Sequence, residues 1–122
     1  MAGGKPNILV IDDNKDHANM IKAMLQVKGY DITIKADTIN LEDSIQKIMP
    51  DLIIMDMLLS GVDGCEICKT LKNNAYLAHI PIMMISAHPD ARKECIDAGA
   101  DSFLEKPFDI KNFFRSGANF MA

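Results

Sequence analysis

Ile8-Leu9-Val10-Ile11-Asp12-Asp13 is the stretch on which the reading of the fold turns. Four consecutive apolar residues make a strand that is apolar on both faces. Such strands belong in the middle of a parallel sheet covered by helices on each side. The run then stops on two carboxylates, so the strand delivers charge at its C-terminal end. Leu52-Ile53-Ile54-Met55 followed by Asp56 repeats the pattern, and Ile82-Met83-Met84-Ile85 followed by Ser86 repeats it again. Ile32-Thr33-Ile34 alternates and Ser102-Phe103-Leu104 is short and mixed, so these two are expected as half-solvated edge strands.

Helical patterns fill the gaps. Ala18, Ile21, Met24 and Leu25 share a helical face, with Gly29 as a stop. Leu41, Ile45, Ile48 and Met49 form a second helix closed by Pro50. A third runs from Gly64 to Leu71 with Asp63 as its cap, and a fourth from Pro89 to Ala98, with Gly99 beyond it. Asp109 caps a fifth, which carries Ile110, Phe113 and Phe114 on one face. Strand and helix thus alternate five times without repeat or linker. Right-handed crossovers and two edge strands predict a single flavodoxin-like (βα)5 domain of class α/β. Its parallel five-stranded sheet has the order 2-1-3-4-5, with helices on both faces.

Composition agrees. The 122 residues carry a net charge of -4, with 48% hydrophobic and 25% charged content. That length suits one domain, which buries roughly two-thirds of its unfolded surface, and leaves no room for a separate output domain. The apolar fraction excludes a disordered chain. No run approaches the ~18–20 apolar residues of a membrane span, and no signal peptide opens the sequence, so no membrane association is expected. A slightly acidic balance argues against direct nucleic-acid binding. Three cysteines, an odd number, without a secretory signal point to a reduced, cytoplasmic protein. Residues 1–6 are expected as a flexible N-terminal segment and 7–122 as the domain.

In an open α/β sheet, ligands bind outside the carboxyl ends of the strands. Strand one ends there in Asp12-Asp13, strand three in Asp56 and strand four in Ser86, while strand five runs into Lys106-Pro107. Three carboxylates on one rim repel one another, and a hard cation relieves the repulsion. All-oxygen ligands suit Mg²⁺. With the charge neutralised, one carboxylate can attack phosphorus and form an acyl phosphate. The phosphoryl oxygens then need a cation and a hydrogen-bond donor. Asp56, alone at the end of the central strand, is the expected nucleophile. Asp12 and Asp13 are expected to hold metal, and Lys106 and Ser86 to contact the phosphoryl group. Singly, Asp13 reads as a cap of the first helix and Lys106-Pro107 as a turn. Their joint placement at four strand ends outweighs those readings.

These residues resemble the receiver domains of response regulators in two-component phosphorelays. The matching segments are Ile8 to Asn14, Leu52 to Asp56, Asp63-Gly64, Ile82 to Ala87, Gly99-Ala100-Asp101 and Lys106-Pro107-Phe108. The resemblance implies that Asp56 accepts a phosphoryl group from a phosphohistidine on a histidine kinase or phosphotransfer protein. It implies Mg²⁺ held by Asp12, Asp13, Asp56 and the backbone carbonyl of Leu58, and a cis peptide before Pro107. Self-phosphorylation and autodephosphorylation are then the only chemistry. Ser86 and Phe103 are the implied switch, read out on the surface of the fourth helix, fifth strand and fifth helix. A downstream protein, a covalently linked output domain or a homodimer formed through that surface would receive the signal. Leu58 and His88 occupy positions that tune phosphoryl lifetime in the family. Leu59-Ser60 stands where the family commonly has Met-Pro.

Two rival readings share parts of the pattern. A haloacid-dehalogenase-like phosphohydrolase needs a second carboxylate where Leu58 sits, and a flavodoxin-like cofactor binder needs a phosphate-cradling loop where Asp12 to Asp16 would repel phosphate. Cys65-Glu66-Ile67-Cys68 invites a redox reading, but its place within a helix favours core packing. Met55, Met57, Met83 and Met84 suit core filling. His17, His79 and His88 show no zinc-ligand spacing. Gly117 is expected to fray the last turn and leave Phe120 to dock on a partner or second copy.

Overall fold

The computed structural model describes residues 5–59 and 61–116. Five strands form the main sheet: β1 (Asn7–Ile11), β2 (Asp31–Lys35), β3 (Leu52–Asp56), β6 (Ile82–Ser86) and β7 (Ser102–Glu105). The short β4 (Leu58–Leu59) and β5 (Val62–Asp63) pair antiparallel beyond β3. Helices α1 (Lys15–Gln26), α2 (Leu41–Ile48), α3 (Gly64–Lys72), α4 (Ala91–Asp97) and α5 (Ile110–Ser116) fill the connections. The sheet order is β2-β1-β3-β6-β7 and its recorded pairings are all parallel, as expected.

Alternation along the central strands sends side chains to two separate cores. Leu9, Ile11, Ile53, Met55, Ile82 and Met84 pack with Leu41 and Ile45 of α2, Cys65, Cys68 and Leu71 of α3 and Cys95 of α4. Ile8, Val10, Leu52, Ile54, Met83 and Ile85 pack with Ala18, Ile21 and Leu25 of α1 and Phe113 of α5. Each fully buried Ile or Leu contributes about 1.5–3 kcal/mol relative to exposure. Both faces are covered, which is why these runs carry no polar residue until the rim.

Several expectations are corrected at element ends. Asn14, not Asp13, caps α1, its side chain accepting from the His17 amide at 3.0 Å. Gly29 ends that helix region as expected, at φ +93°. Met49 falls outside α2: it takes a left-handed φ of 46° and donates its N–H to Ile45. The fourth helix starts at Ala91, because Pro89 and Asp90 form a turn closed by the Ala91 amide on the His88 carbonyl at 3.1 Å. On α5, Phe113 is buried whereas Phe114 is 40% exposed. The edge strand β7 is not half-solvated: Ser102, Phe103 and Leu104 are all buried, since α4 and α5 both pack against it. Gly117 and Phe120 lie outside the described residues.

Candidate functional site

The rim forms where β1, β3 and β6 end side by side. Register pairs Val10 with Ile54 and Asp56 with Ile85, so the carboxylates and Ser86 share one end of the sheet. Asp12, Asp56 and Ser86 are three of the four buried polar residues among those described, at 2%, 8% and 4% exposure. Burial of this kind costs several kcal/mol unless each polar atom finds a partner.

The partners are specific. Asp12 Oδ1 accepts from the Asn14 amide at 2.9 Å, and Asp56 Oδ1 from the Leu58 amide at 3.0 Å. Asp56 Oδ2 accepts from Lys106 Nζ at 2.5 Å. Lys106 reaches it because its amide donates to the Ser86 carbonyl at 2.8 Å, which ties the end of β7 to the end of β6. The Lys106–Pro107 peptide is cis, as the sequence resemblance implies. Ser86 Oγ accepts from the His88 amide at 3.0 Å, so its own proton is free to be donated elsewhere.

Gly64 lets α3 begin against this rim. A Cβ there would stand 2.6 Å from the Asp56 carbonyl oxygen and 2.9 Å from that of Met57. The Gly64 amide donates to Met57 at 2.7 Å, and Asp63 caps α3 by accepting from the Cys65 amide at 2.9 Å. The Asp63-Gly64 dipeptide signals this in the sequence.

Sequence reading missed His17. From the first turn of α1, its Nδ1 bonds Asp12 Oδ2, and its ring meets Phe108 edge-on at 6.2 Å. Donor atoms of Asp12, His17 and Asp56 lie within 4.8 Å of one another. The remaining expected residues sit around this centre. Asp13 follows on the exposed rim. The Leu58 side chain is 65% exposed and His88 is exposed, so both approach the centre through their backbone amides. Phe103 is buried in the core beneath Arg92, whose guanidinium carbon is 5.5 Å from the ring centre. Two buried carboxylates with converging oxygens suit a hard divalent cation that retains waters.

The response regulator receiver domain model matches residues 8–116. The chain is 34% identical over 108 residues to the DNA-binding dual master transcriptional regulator RpaA of Synechocystis, covering 87% of this chain and 45% of that protein. It therefore spans about half the length of this curated relative. A response regulator structure from Chloroflexus aurantiacus superposes with a TM-score of 0.85 at 30% identity, covering 92% of this chain and 94% of that one. The chemotaxis response regulator CheY4 of Vibrio cholerae gives 0.81 at 26% identity, with 92% and 95% covered. Neither the phosphohydrolase nor the cofactor-binder alternative finds support in these likenesses. No helix among the described residues is long and apolar enough to cross a membrane. The buried acidic rim, its lysine and the surrounding sheet are thus those of a signalling domain, and the chain belongs to the response-regulator receiver domains of two-component systems.

Proposed function

We propose that Asp56 is the phosphoacceptor and that Asp12, Asp13 and the Leu58 carbonyl join it in holding Mg²⁺. The observation that carries the proposal is the Lys106–Asp56 contact inside a buried acidic rim. An Asp56 carboxylate oxygen attacks phosphorus, the P–N bond of a donor phosphohistidine breaks, and the electron pair leaves on the donor imidazole. Lys106 then bonds a phosphoryl oxygen in place of Asp56 Oδ2. Ser86, whose Oγ accepts from the His88 amide and keeps its hydroxyl proton available, donates that proton to another phosphoryl oxygen. Bound Mg²⁺ supplies charge neutralisation for the carboxylates and the transferring phosphoryl group.

Movement of Ser86 toward the phosphoryl group frees space that Phe103 repacks, and the α4–β7–α5 surface carries the change to its reader. That reader is a separate protein, a linked output domain or a second copy. The donor is a histidine kinase or phosphotransfer protein. DNA contact is assigned to no residue of this domain. Leu58 and His88, each two residues past a site residue, set how fast water removes the phosphoryl group.

Incubation with acetyl phosphate and Mg²⁺ should add one phosphoryl mass, and Asp56→Asn should abolish it. Retention of label by Asp56→Asn would overturn the assignment. For the lifetime roles, Leu58→Ala and His88→Ala should each change the rate of label loss, and unchanged rates exclude them.

A further inference from the structure

His17 meets the acidic rim without a task in the phosphoacceptor reading. Its backbone is held at the start of α1, where its amide donates to the Asn14 side chain at 3.0 Å. Its side chain is only 15% exposed, and its ring rests edge-on against Phe108. Fixed in this way, Nδ1 meets Asp12 Oδ2, while the Asn14 amide takes Oδ1. A ring nitrogen of His17 and carboxylate oxygens of Asp12 and Asp56 all lie within 4.8 Å of one another. Two donors on one cation with bonds of about 2.1 Å stand roughly 3 to 4.2 Å apart, so these three nearly fit a single coordination sphere. Both carboxylates are more than nine-tenths buried, which leaves little water to screen their charges.

We propose that His17 is itself a ligand of the rim cation, through Nδ1, and turns the site's preference from Mg²⁺ toward divalent cations that accept nitrogen, such as Co²⁺ and Zn²⁺. This deepens the reading of Asp56 and its metal, and rests on it. Mg²⁺ is a hard ion that keeps oxygen ligands and several waters, so an imidazole adds little to its binding. Zn²⁺ takes imidazole nitrogen at about 2.0–2.1 Å, and first-row transition cations favour mixed nitrogen and oxygen donors. The ring is already placed by Asn14 and Phe108, so coordination costs it little further ordering.

A neutral imidazole has one nitrogen lone pair, and its tautomer decides which nitrogen holds it. Metal entry turns that pair to the cation at Nδ1 while the ring proton passes to Nε2, so the imidazole stays neutral. Asp12 Oδ2 exchanges its His17 contact for the cation. A hydrogen bond that merely orients Asp12 would help every cation alike. A nitrogen ligand instead favours one class of cation over the other.

Calorimetric titration of the full chain with Mg²⁺ and, separately, with Co²⁺ measures that selectivity. The ratio of Co²⁺ to Mg²⁺ affinity should fall at least tenfold in His17→Gln, which keeps a polar group beside Asp12 but offers an amide for the imidazole. Proton NMR of the Co²⁺-loaded chain should show a strongly shifted, solvent-exchangeable imidazole N–H resonance. His17→Gln should lose it, and His79→Gln and His88→Gln should retain it. Asp12→Asn should weaken binding of both cations. An unchanged ratio in His17→Gln, absence of the resonance from the parent chain, or its survival in His17→Gln would overturn the role of His17 while leaving the rim metal in place. Undiminished binding of both cations in Asp12→Asn would overturn the rim metal, and this proposal with it.

Discussion

At the scale of single residues, the close approach at Gly64 sets the tightest constraint. A methyl group there meets two backbone oxygens, one belonging to Asp56 itself, and neither can rotate away. Gly64→Ala is expected to cost about 1–3 kcal/mol, typical of forced overpacking. Urea denaturation should show a lower midpoint, and slower labelling of Asp56 should accompany it. An unchanged midpoint would mean that α3 shifts freely. Asp12, Asp56, Ser86 and Lys106 were legible because each stands at the end of a strand or just past it, where chain direction alone fixes which rim it joins. His17 was not legible. Its contact with Asp12 depends on the angle at which α1 leaves Asn14, which no spacing rule encodes.

Among elements, Lys72 at the end of α3 is the principal tie. Its Nζ donates to the Ala78 carbonyl at 3.1 Å, the Ile80 carbonyl at 2.9 Å and Asp101 Oδ2 at 2.7 Å. Asp101 Oδ2 also accepts from the Ile82 amide at 2.8 Å, so α3, the approach to β6 and the turn before β7 meet at one ammonium. Lys72→Met keeps the chain's bulk and removes three donors. A loss of roughly 2 kcal/mol is expected, mostly from the two carbonyls, since the half-exposed ion pair contributes little. A change below about 0.5 kcal/mol in chemical denaturation would show that water replaces the ammonium at no cost. The burial of β7 also belongs to this scale. Its sequence is short and mixed, as edge strands are, but α4 and α5 close over both faces and leave only Glu105 exposed.

For the whole molecule, the three buried thiols make stability depend on alkaline pH. Burial pushes Cys68 up to about 11 and Cys95 to about 12, from an ordinary 9.0. A raised folded-state value means that the protonated thiols stabilise the fold fully below pH 9, and that this contribution is lost as pH rises toward 12. The thermal midpoint should fall across that window, and more shallowly in Cys95→Ala, whose starting midpoint is lower. Equal slopes would show that the thiols ionise without penalty. Read as sequence, the C-x-x-C already pointed to the core, yet nothing in it announced Cys95 as the neighbour, thirty residues onward. The sequence alone determined the strand order, the two-faced sheet and the acidic rim. Apolar runs and their polar ends are local features, and a parallel topology converts them directly into position. Only the tertiary structure decided that His17 touches Asp12, that β7 is covered, and that Cys65 faces Cys95. Those contacts depend on how helices cross and settle on the sheet, which is fixed by packing between distant segments and not by the pattern within any one of them.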